Sequence, residues 1–111
     1  MHMNKLHLSP AAQDDLEQIK TYISGELENP SAAVSTLRKI TNSIRMLQNH
    51  ALAGAPLSSV ANVESDYRFL VSGNYLTFYR VSHGNVYVDR ILYGRRDYLR
   101  ILFADIEEET E

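Results

Sequence analysis

Residues 67–93 read YRFLVSGNYLTFYRVSHGNVYVDRILY, and their period decides the fold. Over Tyr67–Val71, Tyr75–Val81 and Val86–Tyr93 the chain is rich in β-branched and aromatic residues, the types that suit a pleated, half-buried surface. Gly73-Asn74 joins the first two runs with a two-residue link. Glycine there supplies the positive φ that a type II′ hairpin turn requires. His83-Gly84-Asn85 makes a second tight link. Strands joined this closely pair antiparallel, because a parallel pair needs a long crossover. The stretch therefore predicts a three-stranded meander.

Upstream the period is helical. Ser9-Pro10 and Asn29-Pro30 each place a capping side chain before a proline, where the missing N–H costs nothing. Ala12, Leu16, Ile19, Ile23 and Leu27 form one apolar stripe, and Ala33, Leu37, Ile40, Ile44 and Leu47 a second. Two helices with so short a joint form an antiparallel hairpin. Asn4–Leu8 alternates and reads as a short first strand, and residues 49–64 read as a loop. After Gly94, Asp97–Phe103 reads as one or two helical turns. The fold class is α+β: an N-terminal strand and a helical hairpin packed on an antiparallel meander in two layers, with a short C-terminal helix.

The 111 residues make one domain spanning 1–111, with Met1-His2-Met3 reading as a cloning scar and 104–111 as an acidic tail. There is no cysteine, hence no disulfide, thiolate metal site or cysteine nucleophile. No apolar run approaches the ~20 residues of a membrane span. The net charge of −3 conceals an uneven distribution. Residues 66–103 carry Arg68, Arg80, Arg90, Arg95, Arg96 and Arg100 against three aspartates, whereas 104–111 carry five acids and no base.

Arg90, Arg95, Arg96 and Arg100 interleave with Tyr87, Tyr93 and Tyr98. A guanidinium fork suits phosphate or carboxylate, and a phenol adds a ring and a hydroxyl. Arg68 and Arg80 would extend this surface, while Asp89 and Asp97 would pair with part of it. The competing reading is a solvated face whose arginine stems cover apolar surface. No two histidines have metal-ligand spacing, and His7, His50 and His83 lack a partner motif. Asp14-Asp15 reads as a solvated acidic pair. No metal or cofactor is expected.

The ordered blocks Leu8-Ser9-Pro10-Ala11-Ala12, Asn29-Pro30-Ser31-Ala32-Ala33, Gly54-Ala55-Pro56-Leu57, Asp66-Tyr67-Arg68, Phe78-Tyr79-Arg80-Val81 and Ile91-Leu92-Tyr93-Gly94-Arg95-Arg96-Asp97 resemble the RelE/ParE superfamily of bacterial toxins across residues 5–103. The resemblance implies a cytoplasmic toxin of a type II toxin–antitoxin module, such as those of plasmid stabilization. It also implies a cognate protein antitoxin as partner, in a toxin–antitoxin hetero-oligomer or beside a homo-oligomer. One branch of the superfamily cuts mRNA on the ribosome, and the other inhibits DNA gyrase. If the chain were a ribonuclease, its catalytic candidates would be Arg96, Arg95, Arg68, Arg80 and Tyr98. A target-binding site would use Arg90, Arg95, Arg96, Tyr93, Tyr98 and Arg100. Arg96 falls where the ribonuclease branch keeps a basic residue. That branch's arginine near the start of the penultimate strand is replaced by Tyr75-Leu76, and no lysine follows Lys39. These departures place the chain nearer the ParE-like branch. A third reading is an inactive partner-binding domain of the same fold.

Overall fold

The computed structural model describes residues 3–103. In chain order the elements are β1 (Lys5–Leu8), α1 (Pro10–Thr21), a π-helical turn (Tyr22–Glu26), α2 (Pro30–Met46), β2 (Ala55–Pro56), a 3-10 turn (Leu57–Ser59), β3 (Arg68–Ser72), β4 (Tyr75–Ser82), β5 (Asn85–Tyr93) and α3 (Tyr98–Leu102). The strands form one sheet in the order β1-β5-β4-β3-β2. β3, β4 and β5 make the antiparallel meander, and β1 adds in parallel to β5. The crossover from β1 to the meander is long enough for a parallel pair because it contains the helical hairpin.

Both predicted caps are present. Ser9 Oγ accepts from Ala12 N–H at 2.9 Å, and Asn29 Oδ1 accepts from Ala32 N–H at 3.1 Å. Ser9 Oγ also donates to the Asp89 carbonyl at 2.6 Å, pinning the start of α1 to β5. Gly73 turns with φ of 61°, and His83 and Gly84 turn with φ of 49° and 77°. Two successive positive φ values describe a type I′ hairpin.

The main core lies between the hairpin and one sheet face, around Ala12, Ile19, Ile40, Tyr79, Val86 and Val88. A second, smaller core lies on the other face. There Leu57, Phe78 and Leu92 are buried beneath Tyr98, Leu99, Leu102 and Phe103. The sheet is therefore covered on both sides at its α3 end, which the two-layer expectation did not include.

Three sequence expectations need correction. The apolar stripe of the first helix does not run through to Leu27: it stays buried as far as Ile23 in the π turn, and Leu27 is left exposed. Residues 49–64 are not all loop, since Ala55↔Phe69 and Pro56↔Arg68 pair as an edge strand. Asp15 is not a solvated carboxylate; it is buried against β5. The acidic tail at 104–111 and the first two residues of the N-terminal scar lie outside the described residues.

Candidate functional site

The six arginines of the C-terminal third divide into two groups. The strand arginines are engaged inside the fold. Arg90 donates Nε and Nη2 to the two carboxylate oxygens of Asp15 at 2.8 and 2.9 Å, and this bond raises the already high arginine pKa despite partial burial. Arg68 donates to the Gly54 and Leu52 carbonyls at 3.1 and 3.3 Å. Partial burial disfavours the Arg80 cation, but Asp89 at 3.0 Å outweighs it and holds the pKa above the ordinary arginine value. Arg68 lies opposite Tyr79 in the β3–β4 register. Side chains alternate along a strand, so Arg68 and Arg80 lie on opposite faces of the sheet and share no surface.

Asp89 sits at an irregularity in β5. Phe78 pairs with Arg90 while Tyr79 pairs with Val88, so Asp89 is the extra residue of a β-bulge. Alternation from Val88, which faces the main core, puts its carboxylate on the second face. There it also accepts from the Tyr67 hydroxyl at 2.8 Å, and the Arg80 guanidinium sits 5.5 Å from the Tyr67 ring centre. Burial, then the hydrogen bond to an anion, pushes the Tyr67 pKa up to about 12. The expectation that Asp89 pairs with an arginine is met. Asp97 instead caps α3, accepting from Arg100 N–H at 3.4 Å.

The second group follows β5. Gly94 N–H donates to the Asn74 carbonyl at 2.8 Å and fixes where the turn leaves the sheet. A Cβ on Gly94 would stand 3.3 Å from that carbonyl oxygen, so the approach favours glycine. Arg95 and Arg96 follow, both exposed and without an ion pair among the described residues. Arg100 is exposed on α3. Tyr93 is partly exposed, and its ring meets Tyr75 edge-on at 5.8 Å. Tyr98 faces inward instead, 5.2 Å from Phe78. The target-binding candidates therefore separate. Arg95, Arg96, Tyr93 and Arg100 lie at one end of the sheet, Arg90 is tied to α1, and Tyr98 belongs to the small core.

Arg96 also lines a groove of about 790 Å³ between the helical hairpin and the end of the sheet, with Ile19, Ile23, Leu27, Tyr22 and Tyr93 among its walls. Burial, with Tyr22 and Tyr93 nearby, raises the pKa of Tyr75 at its edge. The sequence reading missed this groove, because it joins residues from α1, the π turn, α2 and strands β3, β4 and β5.

Among the described residues, no histidine stands near Arg95 and Arg96. His7 pairs in register with Tyr87, and His83 turns the opposite end of β5. At ~3.4 Å per residue, Tyr87 is about 20 Å along β5 from Tyr93. His50 follows the end of α2 remote from the groove. Among the described residues, no group of three metal-ligating side chains occurs. No helix there is long and apolar enough to cross a membrane.

A helical hairpin inserted between a parallel first strand and an antiparallel meander is the architecture of a class of small bacterial toxins. The family model for the ParE toxin of the type II toxin–antitoxin system parDE matches residues 6–98, and the chain belongs to that family. A structure of the chromosomal ParDE system from P. aeruginosa is similar with a TM-score of 0.68 and 24% identity, covering 84% of this chain and 98% of that one. The RelBE2 toxin–antitoxin complex from Mycobacterium tuberculosis matches with 0.55 and 17%, covering 84% and 93%. The DinJ–YafQ complex from E. coli matches with 0.54 and 13%, covering 82% and 92%. At these identities the structures establish the fold. No curated protein sequence matches significantly.

Proposed function

We propose that this chain is a growth-inhibiting cytoplasmic toxin. In this reading it acts as the ParE-like branch does, by binding DNA gyrase, and is neutralised by a cognate antitoxin. One observation carries the reading: the strand arginines are engaged within the fold, while Arg95 and Arg96 project beyond β5 with no histidine nearby among the described residues. Cutting RNA would require a base to take the 2′-hydroxyl proton as well as cations to hold phosphate. The exposed end of the sheet offers the cations without a histidine base. Arg95 and Arg96, with Tyr93 and Arg100 beside them, form the target-binding site of this reading. Binding alone inhibits, so the mechanism needs no metal or cofactor.

The test is induction in a bacterium without the antitoxin, with gyrase supercoiling and mRNA 5′ ends read in parallel. Growth arrest with lost supercoiling and no new ends inside translated codons is expected. New codon-internal ends with intact supercoiling would transfer the chain to the ribosome-dependent endoribonuclease branch. Absence of arrest would make it an inactive partner-binding domain.

A further inference from the structure

We propose that the outer face of α2 is a separate binding surface for double-stranded DNA. The first observation is a charge pattern that the whole-chain figure hides. Residues 29–63 contain no aspartate or glutamate, yet carry Arg38, Lys39 and Arg45. The acids of the hairpin all lie before Asn29, in and after α1.

The second observation is where those cations point. α2 buries Ala33, Ile40 and Ile44, followed by Leu47 at its C-cap. Diametrically opposite, at spacings of 4, 3, 4 and 3, lie Ser31, Ser35, Arg38, Asn42 and Arg45, with Asn49 in the turn just past the helix, and all six are exposed. Neither guanidinium has an ion pair among the described residues. A polar outer face is what an amphipathic helix presents to solvent; what singles this one out is that its cations have no acidic partner among the described residues.

The side-chain chemistry selects the ligand. Arginine donates a planar fork to phosphate oxygens or to guanine, asparagine pairs bidentately with adenine, and serine contacts phosphate. Alternating Arg and Asn on one rigid face suits base edges as well as backbone. A protein interface would need clustered aromatic or aliphatic anchors, whereas the exposed Val34 and Met46 flank the stripe singly, twelve residues apart. The 17-residue helix is about 25 Å long. The ~12 Å major groove of B-DNA admits a helix of this kind, whereas the deep, narrow groove of A-form RNA does not.

This surface is independent of Arg95 and Arg96, so the two readings can fail separately. The test is fluorescence anisotropy of the full chain with a labelled 20-bp DNA duplex at salt from 20 to 200 mM, beside an RNA duplex of the same length. Binding to DNA that weakens with salt is expected. Arg38→Glu with Arg45→Glu should lower affinity at least about tenfold at low salt and reduce the log–log salt slope by about two. Thermal melting should fall only slightly, because both positions are exposed and the one cost is an acid in the last turn of α2. Arg95→Ala with Arg96→Ala should retain the binding whether or not it abolishes toxicity. No DNA binding at 20 mM salt, equal affinity for the RNA duplex, or binding indifferent to the double charge reversal would each overturn the proposal.

Discussion

Asp15 and Arg90 meet as a two-pronged pair across α1 and β5, at 2.8 and 2.9 Å, and the same carboxylate also takes the Ile91 N–H at 2.9 Å. Asp15 is thus satisfied by three donors in a nearly water-free position. Removing it strands both a guanidinium and a buried backbone N–H. Asp15→Ala should cost about 3 kcal/mol, read as a lowered urea midpoint. The double replacement Asp15→Leu with Arg90→Met should recover most of that loss, because it removes both desolvated charges. A double variant no more stable than Asp15→Ala would show that the pair itself, not the unpaired charge, is what matters.

Tyr79 and Gly54 form a second tie, between the sheet and the loop after α2. The fully buried Tyr79 hydroxyl accepts from Gly54 N–H at 2.9 Å and donates to the Ala51 carbonyl at 2.8 Å. A Cβ on Gly54 would stand 2.6 Å from the Phe69 carbonyl oxygen and 2.7 Å from the Tyr79 hydroxyl. Gly54→Ala should therefore destabilise by about 1–3 kcal/mol through overpacking. Tyr79→Phe should cost a similar amount by leaving the buried Gly54 N–H and the half-buried Ala51 carbonyl without this partner. Denaturant melts compare both with the wild type, and an unchanged midpoint for Gly54→Ala would show that the loop shifts freely.

These two ties also mark what could be read in the sequence. Caps, turns and amphipathic stripes are local signals, and Ser9-Pro10, Asn29-Pro30 and Gly73-Asn74 all appear where the sequence puts them. The Asp15–Arg90 pair joins residues 75 apart, and no spacing rule connects them. Asp15 looks solvated because its neighbours Asp14 and Glu17 are exposed. β2 is two residues long, too short for a period. The candidate site was legible as composition but not as geometry. Alternation along the strands puts Arg68 and Arg80 on opposite faces, yet which arginines remain exposed depends on Asp15 and on the bulge at Asp89.

Tyr67 makes stability depend on alkaline pH. Its folded pKa of about 12 lies above the ordinary value of 10.0. Between those values the folded state keeps a proton that the unfolded chain has lost, so stability falls as pH rises. The contribution is fully present below pH 10 and fades through pH 12. Tyr67→Phe should lose less stability than the wild type between pH 10 and pH 12, measured by denaturant midpoints at each pH. Parallel curves for the two proteins would remove Tyr67 as the cause.

Thr77 presents the opposite case to Asp15. It is fully buried in β4, and its Oγ1 has no hydrogen-bond partner among the described residues. A buried hydroxyl left without a partner costs about 1–3 kcal/mol. Valine keeps the β-branched shape that suits a strand and removes the polar atom. Thr77→Val should therefore raise the melting temperature by a few degrees, corresponding to about 1 kcal/mol. A lowered temperature would reveal a partner for the hydroxyl, such as a bound water.

Arg96 and Arg80 separate exposure from charge in the proposed toxicity. Both are arginines of the C-terminal third, but Arg80 is held by Asp89 whereas Arg96 is exposed at the groove beyond β5. Arg96→Ala should leave the melting temperature unchanged, since it breaks no ion pair among the described residues. It should weaken growth arrest more than tenfold, measured as the inducer level needed for arrest. Loss of one guanidinium contact to a carboxylate or phosphate of the target, worth about 1.5–3 kcal/mol, is sufficient for that. Arg80→Ala should lower stability slightly, because a partly exposed pair contributes only about 0–1 kcal/mol. Its effect on arrest at matched protein level should be small. If Arg80→Ala abolished arrest while Arg96→Ala did not, the acting surface would be the second sheet face around Tyr67 and Asp89 rather than the end of β5.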